Sequence, residues 1–356
     1  MLVNLGIAGR LEFDDAEQAR DGYLDRGWTD GLPIIPPTEE KVRIFLEAAQ
    51  LPSTEILGSI PERNRVFTAE KAAINAVMAG CLPEYFPVVA AAVRAMTQPD
   101  FGLHGVTATT AGTAILMIVN GPIIREIGLN SGQNLFGPGH RANATIGRAI
   151  RLILLNLGGR EFDRGTLGNP GKYTYCIAEE EDSRWETLQV SRGFARESST
   201  VTVFAAEGPN QVQNHGALRP ENILLTMADR MRSLGSFNML GDTEGVVVLC
   251  REHYQTLIEG GWQKDRVRRF LYEQACRPLA DLKRGGLIEA PITPADETTL
   301  VRAVSSPDHI LLIMAGGVAG RFSAFIPGWV GRHMSKAVTW PIGAGSCLAQ
   351  LGPIAP

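Results

Sequence analysis

Residues 114–159 read AILMIVNGPIIREIGLNSGQNLFGPGHRANATIGRAIRLILLNLGG, a complete strand–loop–helix unit. The apolar run at 114–119 reads as a buried strand. Ile146, Ala149, Ile150, Ile153, Leu154 and Leu157 recur at the 3.6-residue period of a helix, and Gly158-Gly159 supplies the stop. Between them lies a polar loop rich in Gly, Asn and Ser. Loops of roughly 20 residues are uncommon inside compact domains unless they have a use. In α/β proteins a glycine-rich turn between strand and helix gathers free N–H groups and the positive helix end around an anion. Gly137-Pro138-Gly139-His140-Arg141 falls at the helix start, where an imidazole and a guanidinium can reinforce those donors. The plainer alternative is a structural turn facing solvent.

Composition sets the outer bounds. With 356 residues the chain can bury a full core as one large or two modest domains. Hydrophobic content of 44% and charged content of 20% match an ordinary soluble globular protein. A net charge of −4 gives no basic face for nucleic acid. No apolar run approaches the roughly 20 residues of a membrane span. The N-terminus lacks the basic start and apolar core of a secretory signal. Five scattered cysteines, Cys81, Cys176, Cys250, Cys276 and Cys347, fit reduced cytoplasmic thiols better than a disulfide scaffold.

Other segments repeat the strand-then-loop theme. TVTVF at 200–204 reads as a buried strand, followed by a loop from Glu207 to Gly216 that contains Gly-Pro-Asn and His215, then a helix from about Pro220. GVVVL at 245–249 and DHILLIMA at 308–315 read as further strands. The last of these ends in Gly316-Gly317-Val-Ala-Gly320-Arg321-Phe-Ser323, whose spacing is not the dinucleotide fingerprint. Helices are expected at 11–26, from Thr38 as cap over 39–49, at 69–80, 84–96, 252–259 and 264–276. DGLPIIPPT at 30–38 reads as an extended arm on the body, because its prolines fix the backbone and remove donors. The acidic run at 179–182 reads as a solvated turn from which a carboxylate could reach a site. Cys81 follows the helix end at Gly80. It is a candidate nucleophile, set against a thiolate being disfavoured at a helix C-terminus and free cysteine being commonly buried.

Strands alternating with helices predict an α/β fold, mostly parallel sheet or sheets flanked by helices, as two possible related lobes with a crevice between them. The expected division is an N-terminal helix and Pro-rich arm at 1–60, a first lobe at 61–175, a second at 176–340 and a tail at 341–356. Strand-end loops of open α/β sheets gather beyond the carboxyl ends of the strands and form the ligand crevice.

Six stretches together resemble a poorly characterised bacterial family: DGLPIIPPTEEKV (30–42), EKAAINAVMAGCLPEYFPVVAAAV (70–93), VNGPI (119–123), the 128–159 block, LGNPGKYTYCIAEEE (167–181) and TVTVFAAEGPNQV (200–212). That family is associated with UGSC or CGSC proteins, small thiol or selenol proteins named for a U/C-Gly-Ser-Cys motif. The resemblance implies a small thiol or selenol partner protein and brings no established reaction. The tail, Ala344-Gly345-Ser346-Cys347, is similar to the motif at its last three positions, with alanine where the first Cys or Sec belongs. Cys347 would then be a resolving thiol, a nucleophile or an inert tail residue.

Three functions fit these residues. The first is a cytoplasmic enzyme acting on a small anionic molecule, a carboxylate for choice, by acid–base chemistry. Arg141 would pair the anion, with Asn130, Ser131, Asn134, Asn143 and Arg321 orienting it, and His140, Glu207 or His215 moving protons. The second is a thiol-dependent reductase or transferase using Cys81, Cys176 or Cys347 with a redox partner. The third is a non-catalytic binding subunit. No Cys/His spacing suits a metal, no cofactor is identified, and a homo-oligomer is expected.

Overall fold

The apolar runs at 114–119 and 245–249 lie at the centres of two four-stranded sheets. The computed structural model describes residues 8–159 and 165–343. The chain begins with helices α1 (Ala16–Asp25) and α2 (Glu39–Ala48), a hairpin of β1 (Ile56–Ile60) and β2 (Arg65–Thr68), and helices α3 (Ala69–Ala79), α4 (Phe86–Met96) and α5 (Leu103–Ala108). Next come β3 (Ala114–Asn120), α6 (Ile123–Glu126), α7 (Arg141–Leu157), β4 (Cys176–Ala178), α8 (Leu188–Ser191), β5 (Thr200–Ala206) and β6 (Asn210–Gln213). The remainder is α9 (Pro220–Met231), β7 (Gly245–Leu249), α10 (Arg251–Glu259), α11 (Lys264–Gln274), β8 (Cys276–Pro278), α12 (Leu279–Arg284), β9 (Leu300–Arg302), β10 (Ile310–Met314), β11 (Phe322–Pro327) and β12 (Val338–Pro341).

The fold is mixed α/β, but the sheets are not mostly parallel. The first has order β12-β5-β3-β4 and the second β6-β11-β7-β10. In each, one pair is parallel (β3 with β4, β7 with β10) and the other two are antiparallel. The difference from expectation has a physical cause. An uninterrupted apolar strand reports burial on both faces, which parallel sheets usually have. Here a sandwich of two mixed sheets supplies the same burial. The edge strands are exchanged: after β5 the chain passes to the second sheet as β6, and after β11 it returns to the first as β12. The two crossings meet at a bridge between Ala206 and Gly328.

Strand alternation sorts the core into layers. Leu116, Ile118 and Phe204 of the first sheet face Val246, Val248, Ile313 and Ile326 of the second. The alternate residues of the first sheet, such as Met117, Val119 and Val203, lie in one core with α3, α4 and α7. Val247, Leu249, Leu312 and Phe325 lie in another with α9 and α11. The result is helices, sheet, sheet, helices. Gly147 lets α7 close onto β4, since a Cβ there would stand 2.6 Å from the Tyr175 backbone nitrogen.

The Pro-rich arm does lie on the body. Arg148 of α7 donates to both carboxylate oxygens of Asp30 at 2.8 Å and to the carbonyls of Leu32 and Pro33. Thr38 caps α2 by accepting from the Lys41 N–H. Among the described residues no helix is long and apolar enough to cross a membrane.

Candidate functional site

The carboxyl ends of the two parallel pairs are tied together. The Glu180 N–H, just past β4, donates to the Met314 carbonyl at the end of β10. The Gly316 N–H donates to the Ser131 carbonyl at 2.7 Å, and Gln133 Nε2 donates to the Val318 carbonyl at 2.6 Å. The polar loop after β3 therefore docks on the glycine turn after β10. Gly317 permits this, having φ +59° and space for a Cβ only 2.9 Å from the Gln133 nitrogen.

This docking encloses an open cleft of 720 Å³ whose lining includes Arg125, Asn130, Ser131, His140, Glu179 and Arg251. Glu179 is 2% exposed, and one carboxylate oxygen, Oε2, accepts from Asn120 Nδ2 and the Leu188 N–H, each at 2.7 Å. Burial raises its pKa; the Lys264 cation and the two donors pull the other way, and the net direction is upward. Nothing among the described residues donates to Oε1, and the Oδ1 of buried Asn120 has no partner. Glu180 accepts from the Gly317 N–H at 2.7 Å and pairs with Arg251, which also holds Asp182 at 3.0 Å. His140 is the N-cap of α7, and its side chain makes no capping bond.

A second pocket, of 460 Å³, opens on the other side of the same loop. Asn134, Leu135 and Phe136 meet Gln211 from β6 and the turn at Gly316 and Ala319 there, so segments distant in the chain do converge. It is mainly apolar and lies at the rim of the inter-sheet layer.

The other sequence candidates sit elsewhere. Arg141 points away from the cleft: Nε and Nη2 donate to the Gly80 carbonyl at 3.1 and 3.0 Å, closing the end of α3. Asn143 is buried and clamps the loop from beneath, accepting from the Asn130 N–H and donating to the Asn130 and Cys176 carbonyls. Asn134 bonds locally to the Pro138 carbonyl at 2.6 Å. Arg321 donates to the Ala217 carbonyl at 2.6 Å. Glu207 stands at the strand crossing, where its backbone N–H donates to the Pro327 carbonyl, and burial raises its pKa. His215 is exposed and packs edge-on against Phe322 at 4.9 Å.

Cys81 and Cys176 are both buried and poor nucleophiles as placed. Burial pushes Cys81 up to about 12 and raises Cys176 further. Cys347 lies outside the described residues. Among the described residues no group of three or more His, Cys, Asp or Glu side chains is set to hold a metal ion.

Sequence reasoning read the acidic run at 179–182 as a solvated turn from which a carboxylate could reach a site, without singling out Glu179 or Glu180, and it did not name Arg251. The signal available was position, since 179–182 follows directly on a strand end. Also unanticipated is a buried cluster under α10. His253 Nδ1 lies 2.7 Å from Ser323 Oγ, and Nε2 lies 3.1 Å from the Asn214 carbonyl. A carbonyl only accepts, so Nε2 carries the hydrogen and Nδ1 accepts from Ser323. Ser323 Oγ in turn accepts from the Cys250 N–H at 3.1 Å.

Comparison of the chain with protein-family models, with curated proteins and with solved structures finds no match in any of the three.

Proposed function

We propose that the chain is an enzyme that moves protons on a small carboxylate-bearing molecule held in the cleft between the two strand ends. One observation carries the reading. Glu179 is a nearly inaccessible carboxyl with a raised pKa and one oxygen unclaimed, in the lining of the cleft where the loops converge. Strongly perturbed titratable groups in clefts are candidate acids and bases. In this reading Glu179 Oε1 holds or accepts the proton, and His140 serves across the space. Arg251 is engaged by Glu180 and Asp182, so the exposed guanidinium of Arg125 takes the substrate carboxylate. Asn130 and Ser131 form the wall. Membership of the UGSC-associated family, a cytoplasmic location, a thiol or selenol partner and a homo-oligomer belong to the same proposal and rest on the sequence alone.

The test is solvent exchange. A panel of small carboxylic acids is incubated with the protein in D2O, and deuterium incorporation or consumption is followed by NMR. At least one member should react, and Glu179→Gln should abolish the reaction while thermal unfolding is retained. A Glu179→Gln protein as active as the parent would sink the assignment.

A further inference from the structure

The charges around the cleft do not cancel. Its lining holds four carboxylates, Glu179, Glu180, Glu181 and Asp182, against two guanidiniums, Arg125 and Arg251. Glu180 is fully engaged, Oε1 by the Gly317 N–H and Oε2 by Arg251, which also holds Asp182. Glu179 lies in the field of the buried Lys264 cation. Glu181 and Arg125 remain. Glu181 Oε1 accepts from the Gly121 N–H, and no donor reaches Oε2 among the described residues. Neither Glu181 nor Arg125 makes an ion pair there, with the other or elsewhere. Residues 344–356 include no Lys, Arg, Asp or Glu. Both side chains also line an adjoining recess of 450 Å³, where Glu126 and Arg196 add one charge of each sign. Thr187, 1% exposed, lines that recess too, and its Oγ1 has no hydrogen-bond partner. It is the N-cap of α8 yet makes no capping bond. A buried hydroxyl without a partner is uncommon in native structures and calls for an explanation.

We propose that the molecule held in the cleft is an amino acid, with its carboxylate on Arg125 and its ammonium on Glu181. This rests on the carboxylate reading above and narrows it. A plain carboxylate adds a negative charge to a lining with twice as many carboxylates as guanidiniums, whereas a zwitterion adds none. An ammonium carries three N–H donors and no acceptor. What the cleft and its recess leave unspent are acceptors: Glu181 Oε2, Glu179 Oε1 and the Thr187 hydroxyl. Glu181 is positioned in advance by the turn whose N–H it accepts. Gly121 sits there at φ +94°, and a Cβ on it would stand 2.5 Å from the Ser198 carbonyl oxygen. The charge of Glu181 also helps to raise the Glu179 pKa, and a cation beside both carboxylates relieves that repulsion.

Ligand-observed NMR titration of the full chain tests the proposal. The probes are the twenty common amino acids, each with the acid that lacks its amino group and the amine that lacks its carboxyl. At least one amino acid should bind about tenfold or more tightly than both of its analogues, the effect of one hydrogen bond to a charged group. Glu181→Gln keeps an oxygen for the Gly121 N–H, so the unfolding midpoint should hold while the preference over the des-amino acid disappears. Arg125→Met should weaken the amino acid and its des-amino acid alike. Des-amino acids that bind as well as the amino acids, or a preference that survives Glu181→Gln, overturn the ammonium site and leave the carboxylate reading standing. Amines that bind as well as the amino acids, or no binding by any carboxylate, overturn both.

Discussion

The two sheets share one pairing pattern, yet their strand ends are built in opposite ways. After β3 the chain runs through residues 121–140 before α7 begins, whereas after β7 it passes through Cys250 directly into α10. At the second end the buried cluster under α10 has its hydrogen bonds made. His253, Ser323 and Cys250 are all buried and satisfy one another and the Asn214 carbonyl. Ser323 alternates along β11 with Ala324, which faces the inter-sheet layer, so its hydroxyl turns toward α10. A serine bonded to a histidine is here a brace. At the first end polar capacity is left over, at Glu179 Oε1, Asn120 Oδ1 and the His140 ring. Equal topology does not give equal sites; unspent hydrogen-bonding capacity in a cleft does.

The largest test of that contrast is Glu179→Gln. It should lower turnover by about 10²–10⁴-fold, the usual contribution of a positioned acid or base, and chemical denaturation should show a folded protein. Turnover unaltered in this variant would erase the distinction between the two ends. The arm supplies the next largest effect. Asp30→Asn breaks a pair whose side chains are 3% and 15% exposed and should cost about 3 kcal/mol. Burial raises the Asp30 pKa, but the bonds and charge of Arg148 outweigh it, and the net direction is downward. The stabilisation is therefore complete above the unfolded carboxyl range, near ~3.9, and is lost as pH falls through the lower folded value. Urea midpoints for parent and variant should differ most near neutrality and converge at strongly acid pH. A gap that persists there would mean the arm is held by its apolar contacts instead.

Much of the fold can be read from local pattern. The strands at 114–120, 200–206, 245–249 and 310–314 are fully buried and mainly apolar, and α7 is a strong 3.6-residue period closed by glycine. The edges are not legible in the same way. Asn210–Gln213 has only Val212 buried, so β6 looks like loop until β11 lies beside it. Nor does an apolar run say whether a helix or a second sheet covers each face. At the site, the loop led to Asn130, Ser131 and His140. Arg141 was misread because successive residues at a helix start point about 100° apart, which sends its guanidinium to Gly80. The run at 179–182 looked like a solvated turn. Glu179 is held by Asn120 and the start of α8, and Glu180 by residues 314–317, and no local pattern records these tertiary contacts.

Smaller effects sharpen the contrast. Ser323→Ala leaves the His253 ring and the Cys250 N–H without their partner and should destabilise by about 1–3 kcal/mol. Activity per folded molecule should be unchanged, and a collapse of turnover at unaltered stability would make the brace a catalytic pair. Arg141→Ala should have the smallest effect. Its bonds to the Gly80 carbonyl sit at an exposed helix end, where a cation contributes about 0.3–1 kcal/mol. Gly80, at φ +89°, already terminates α3 without help. A slightly lower unfolding midpoint with full turnover is therefore expected. If turnover falls at least a hundredfold with the midpoint unmoved, the guanidinium serves the substrate, and the chemistry belongs on the α3 side of the loop.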